Sequence, residues 1–218
     1  MHSIKMNTIT IIILGIIVLG VIVWLMTTKY GQTSLTQENP TSIKTLEDLL
    51  NELESLGFYK YTTSEIASKN KAEVLATGNI FGDEETKRLW HADAEDLAEG
   101  GVKQFLEEMM PFLQTLNVSI ASIQEDFNID GAYNITINGI KYSLYSEAEL
   151  KSEDIWDLTS KRTFIILNKL LAQAGSSERV YQLYGGNDQF VVVLTAEMYE
   201  AIHKSQILAE RDMPIPIE

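Results

Sequence analysis

From Met6 to Thr28 the chain runs through 23 positions without a charged residue, and between Ile9 and Met26 it holds seven Ile, three Leu and three Val with only Thr10 clearly polar. No single feature narrows the possible folds more. At about 1.5 Å per helical residue such a run reaches about 35 Å, enough to cross a hydrocarbon core of about 30 Å with slight tilt. On an insertion scale of about −0.3 to −0.6 kcal/mol per central aliphatic residue, thirteen of them favour the bilayer by roughly 4 to 8 kcal/mol. The expectation is one transmembrane helix over residues 8–27, after a short tail at 1–7. Trp24 and Tyr30 suit the membrane–water interface, and Lys29 can snorkel among headgroups. The competing reading is a cleaved signal peptide. It is disfavoured because the run is long and ends in Trp24-Leu25-Met26-Thr27-Thr28 without a small-residue cleavage pair, so a signal-anchor is expected. Lys5 on one side and Lys29 and Lys44 on the other nearly balance. The short leading tail favours a cytoplasmic N-terminus and an extracytoplasmic domain.

Residues 28–42 contain the polar, turn-rich stretch from Gly31 to Ser42, which reads as a juxtamembrane linker. Residues 43–218 then form one acidic soluble domain. All 31 Asp and Glu but only 15 of the 17 Lys and Arg lie beyond residue 30, a formal charge of −16. Phosphate backbones require a basic face, so nucleic acid is excluded as an expected partner, and a basic protein surface or a cation is favoured. There is no cysteine, which removes disulfides, thiolate metal sites and thiol nucleophiles.

Patterning within the domain alternates helices with hairpins. Leu46, Leu49, Leu50, Leu53 and Leu56 keep helical spacing, with Thr45 as cap and Gly57 as stop, so a helix is expected over about 45–56. Phe58–Tyr61 reads as a short strand or bridge. Thr63 or Ser64 opens a weaker helix ending at Gly78, and Leu89–Ala92 reads as extended. After Gly100-Gly101, Val102, Phe105, Leu106, Met109, Met110, Leu113 and Leu116 mark another helix, with a kink or early break expected at Pro111. Asn138-Gly139 supplies a type I′ turn that sets Ile137 against Ile140, Ile135 against Tyr142 and Tyr133 against Leu144, all on one buried face. Val118–Gln124 is expected to add a third strand. A long helix at about 153–173, a second hairpin from Val180–Tyr184 to Phe190–Leu194, a helix capped by Thr195 and an extended Pro214/Pro216 tail complete the pattern. The expected class is α+β: an antiparallel sheet built from hairpins with amphipathic helices packed on one face, preceded by the transmembrane helix.

Chemistry is sparse. Asp126-Phe-Asn128-Ile-Asp130-Gly131 matches half a calcium loop, but Ile137 stands where a bidentate Glu is needed, so a turn is expected. His91, Asp93, Glu95, Asp96 and Glu99 cluster ahead of Gly100 without the spacing of a known ligand motif, and acid residues collect naturally in a first helical turn. Gly185-Gly186-Asn187-Asp188 joins two apolar strands, as a tight connection or a recognition loop. The candidate binding residues are therefore Asp93, Asp96, Asn187 and Asp188, with no catalytic or metal-ligating residue and no cofactor assigned. The favoured function is a non-enzymatic, membrane-anchored module that binds a protein with a basic surface. Its rivals are a toxin-neutralising immunity-type protein, a hydrolase or cation-binding domain using His91, Asp93 and Asp96, and a subunit of an envelope assembly.

Overall fold

The computed structural model describes residues 45–129, 131–151 and 154–217. The expected transmembrane helix and linker lie outside the described residues. Among those that are described, no helix is long and apolar enough to cross a membrane.

Capping chemistry sets the first two helices. In α1 (Leu46–Ser55) the Thr45 hydroxyl oxygen accepts from the Asp48 backbone N–H at 3.1 Å. Past its end, Gly57 turns left-handed (φ 88°) and the Phe58 N–H returns to the Leu53 carbonyl, closing the helix. In α2 (Ser64–Thr77) Thr63 caps the start and left-handed Gly78 the end. The segment 58–61 is not the expected strand but a chain of turns. Its physical reason is Arg88, whose guanidinium takes the Gly57 and Phe58 carbonyls and so removes them from any ladder.

The fold is α+β with two antiparallel sheets rather than one. The first has the order β1 (Leu89–His91), β6 (Phe190–Thr195), β5 (Glu178–Leu183), β7 (Ile215–Pro216). Helices cover both its faces. Val180, Val191 and Val193 point into a core shared with α3 (Val102–Thr115), α4 (Ile155–Gln173) and the second sheet. Tyr181, Leu183, Val192 and Leu194 point the other way, into a core shared with α1, α2 and α5 (Ala196–Ser205). Thr195 caps α5 as expected, its hydroxyl accepting from the Met198 N–H. A strand buried on both sides loses the hydrophobic alternation that signals a single covered face, which is why β6 reads as a continuous apolar run.

The second sheet is the meander β2 (Ile123–Phe127), β3 (Tyr133–Ile137), β4 (Ile140–Tyr145). Asn138 (φ 51°) and Gly139 (φ 80°) make the expected turn, and Ile137 pairs with Ile140 and Ile135 with Tyr142. Beyond that a bulge intervenes: Asn134 faces Ser143 and Tyr133 faces Tyr145, so Leu144 is the extra residue and both Leu144 and Tyr145 are buried. Ile140, at the corner of an edge strand, is 51% exposed rather than buried. The third strand also starts later than Val118, because the Asn138 amide binds the backbone of Ser119 and Ala121 and holds that approach segment out of the ladder.

Pro111 does not end α3, which continues to Thr115. Both Pro111 and Glu107, whose carbonyl loses its N–H partner, face solvent, where water can replace the bond. In α4 the buried stripe includes Thr159, Ser160 and Thr163, while Ile155, Leu158 and Ile165 are half-buried. The hydroxyls of all three donate to carbonyls four residues back, so these polar side chains need no outside partner to pack closely.

Arg88 and Glu178 are the keystone that patterning did not foresee. Both are essentially fully buried, the guanidinium Nη1 lying 3.0 Å from Glu178 Oε2. All five guanidinium N–H donors are used, on the two Glu178 oxygens and the carbonyls of Gly57, Phe58 and Val193. Tyr61 Oη and Lys60 Nζ complete the carboxylate's shell at 2.9 and 3.3 Å. A buried charge pair is tolerable only when so satisfied.

Candidate functional site

The two candidate segments, 91–99 and 185–188, meet at one end of the four-stranded sheet. β1 pairs with β6 through His91 and Phe190, whose rings lie 4.9 Å apart. The pairing then runs past both strands: Ala92 N–H donates to the Gln189 carbonyl and Ala94 N–H to the Asn187 carbonyl, each at 2.9 Å. Asp93, at the start of the helical turn Ala94–Asp96, caps it by accepting from the Asp96 N–H at 2.9 Å.

This zipping brings His91, Asp93 and Asp188 together, with one imidazole nitrogen and one oxygen from each carboxylate all within 4.8 Å of one another. Asp188 is 95 residues from Asp93 along the chain, so sequence spacing could not expose the grouping. Asp96 is not part of it; it lines the adjoining cleft instead. Asn187 turns out to hold the architecture, its amide oxygen accepting from the Glu95 N–H and its nitrogen facing the Glu95 carboxylate at 3.4 Å. His203, by contrast, stacks on Tyr199 in the last turn of α5.

The cleft has a volume of about 450 Å³ and runs from His91 to the first turns of α3. Asp93, Asp96, Glu99 and Glu108 line it, with Gln104 and Phe105 and with no Lys or Arg. Gly100 and Gly101 shape its floor. Gly100 is left-handed (φ 100°), and a Cβ at Gly101 would stand 2.6 Å from the Asp96 carbonyl oxygen, so the chain can turn here only without side chains. The freed N–H groups at the start of α3 bind inward: Val102 N–H to Tyr133 Oη and Lys103 N–H to Glu125, which also accepts the Tyr133 hydroxyl. Burial first, and then this Glu125 contact, drive the Tyr133 phenol far above its ordinary value, so it stays a proton donor.

Gln189 fixes the loop from beneath. Although polar it is buried, its amide donating to Ser160 Oγ at 2.6 Å and accepting from Gln182 at 2.7 Å. No sequence signal marks it, because a Gln beside a Gly-rich loop normally faces water.

The half-motif for calcium resolves differently. Asp126 lies on β2 with its carboxylate 3.6 Å from Lys141 Nζ, and the Gly131 N–H closes a turn on the Asn128 carbonyl. Asp130 lies outside the described residues. Comparison of the chain with protein-family models, with curated proteins and with solved structures gives no match.

Proposed function

We propose that this protein is a membrane-tethered binding module whose acidic cleft receives a cationic group presented by a partner protein. The observation that carries the reading is the cleft wall: four carboxylates and no Lys or Arg around a single concavity, in a chain whose formal charge beyond residue 30 is −16. A concentration of one sign of charge inside a cleft focuses the field and attracts the opposite charge. The apolar run at residues 8–27 would fix the module to the bilayer, with the domain on the extracytoplasmic face. Nucleic acid and anionic headgroups would be repelled by the same field.

The test is capture of partners by the full chain in detergent, in a buffer containing a metal chelator, at rising salt and beside an Asp93→Asn, Asp96→Asn, Glu99→Gln triple variant. The expected result is a partner held at low salt, released as the Debye length shrinks below about 10 Å, and lost from the variant. A partner held equally by the variant, or none at all, ends the reading. Protease protection of membrane vesicles assigns the side: the domain should resist protease in inside-out vesicles and be cut in intact cells opened only at the outer face.

A further inference from the structure

We infer that His91, Asp93 and Asp188 form a binding site for one divalent transition-metal ion of the zinc type. The case begins with the donor set. An imidazole and two carboxylates offer a mixed nitrogen and oxygen shell, which suits Zn²⁺ and its neighbours better than Mg²⁺ or Ca²⁺, cations that favour oxygen alone. The donor atoms already lie within 4.8 Å of one another. Around an ion held at about 2.1 Å by each ligand they would stand roughly 3.4 Å apart. Rotation of the exposed His91 and Asp188 side chains by an ångström or so closes that difference.

Electrostatics supplies a second argument. Two like-charged carboxylates are brought together from distant parts of the chain, yet among the described residues neither Asp93 nor Asp188 forms an ion pair with Lys or Arg. Two other carboxylates held in place in this domain have cationic partners, Glu178 in Arg88 and Glu149 in Arg162. A bound cation would complete the same pattern here. The backbone holds the three positions independently of any ion, since the 91–94 and 187–190 segments are hydrogen-bonded to each other and Gln189 is anchored to α4. Three protein ligands leave at least one coordination position, and the cleft lies beside it.

This inference does not depend on the partner reading, which is tested in chelator. Here the full chain in detergent is stripped of metal, titrated with Zn²⁺ or Co²⁺ alone, and assayed for bound metal by atomic absorption and for the Co²⁺ visible spectrum. One equivalent is expected to be lost, or weakened at least 10-fold, in both His91→Ala and Asp188→Asn, and retained in His203→Ala. The His203 variant matters because His2 and His203 are the chain's other imidazoles. All three substituted side chains are exposed, so the variants should keep the parent's circular dichroism. Absence of saturable binding, or binding that survives both His91→Ala and Asp188→Asn, overturns the assignment.

Discussion

Two hairpins of this domain, β3–β4 and β5–β6, are each fastened by an arginine, but in opposite environments. Arg162, at the β3–β4 end, donates to the Leu144 carbonyl and forks onto Glu149 while both side chains remain about one-third exposed. Arg88, against β5–β6, is sealed from water and holds Glu178 and three carbonyls. The first hairpin is specified mostly by itself, through its two-residue turn and alternating pattern. The second depends on the rest of the molecule, with a loop that is zipped to the segment after β1 and pinned by Gln189. It is this second, tertiary-built hairpin that carries the candidate site.

The sharpest way to break the contrast is Arg88→Met. Leaving Glu178 buried and unpaired should cost about 3 to 5 kcal/mol, read as a lower urea midpoint by tryptophan fluorescence; an effect under about 1 kcal/mol would mean that the buried clamp is not essential. Next comes Gln189→Ala, which strips a buried partner from Ser160 and Gln182 at a cost of about 1 to 3 kcal/mol. Hydrogen exchange should then accelerate at residues 184–190 and remain unchanged in the β3–β4 turn. Gly139→Ala acts on the self-specified hairpin, where a side chain at φ 80° should cost about 1 to 2 kcal/mol, with exchange quickened around 137–140 and unchanged in the second loop.

The smallest effect is expected at the exposed clamp, and it depends on pH. The Arg162 guanidinium, followed by the backbone N–H and hydroxyl of Ser146, holds the Glu149 carboxyl down at about 2 against its ordinary 4.5. A depressed folded-state value means that the ionised carboxylate stabilises the fold fully above about 4.5 and that this contribution fades as pH falls toward about 2. Glu149→Gln should therefore be less stable than the parent at pH 7, with the gap shrinking on acidification across that window. Equal gaps at pH 7 and pH 2 would show that the ion pair contributes nothing through charge.

What could be read from sequence follows the same division. Local devices were legible: Thr45 and Thr195 as caps, Thr63 or Ser64 as a helix start, Gly57 and Gly78 as stops, Asn138-Gly139 as a turn. Each acts over a few residues, so its signal is contained in a short window. The failures were places where distant groups compete. Phe58–Tyr61 has strand-like residues, but Arg88 claims the carbonyls at its start; Pro111 should break a helix, but its missing bond faces water; Leu144 shifts register at a bulge that no pattern marks. The site was half legible. Asp93 and Asp188 were each singled out, but their meeting with His91 is set by hydrogen bonds between segments 95 residues apart, and the support that Asn187 gives the turn carried no local signal.

The brevity of β7 has a consequence at high protein concentration. An open sheet edge is a template on which another chain can add a strand. The four-stranded sheet ends on one side in the three-residue β1 and on the other in Ile215–Pro216, where Pro216 has no N–H to offer a newcomer. Copies crowded together would thus find little to grip on the outer strands of this sheet. Strand addition that knits neighbouring molecules into fibres is therefore disfavoured at β1 and β7 of this sheet.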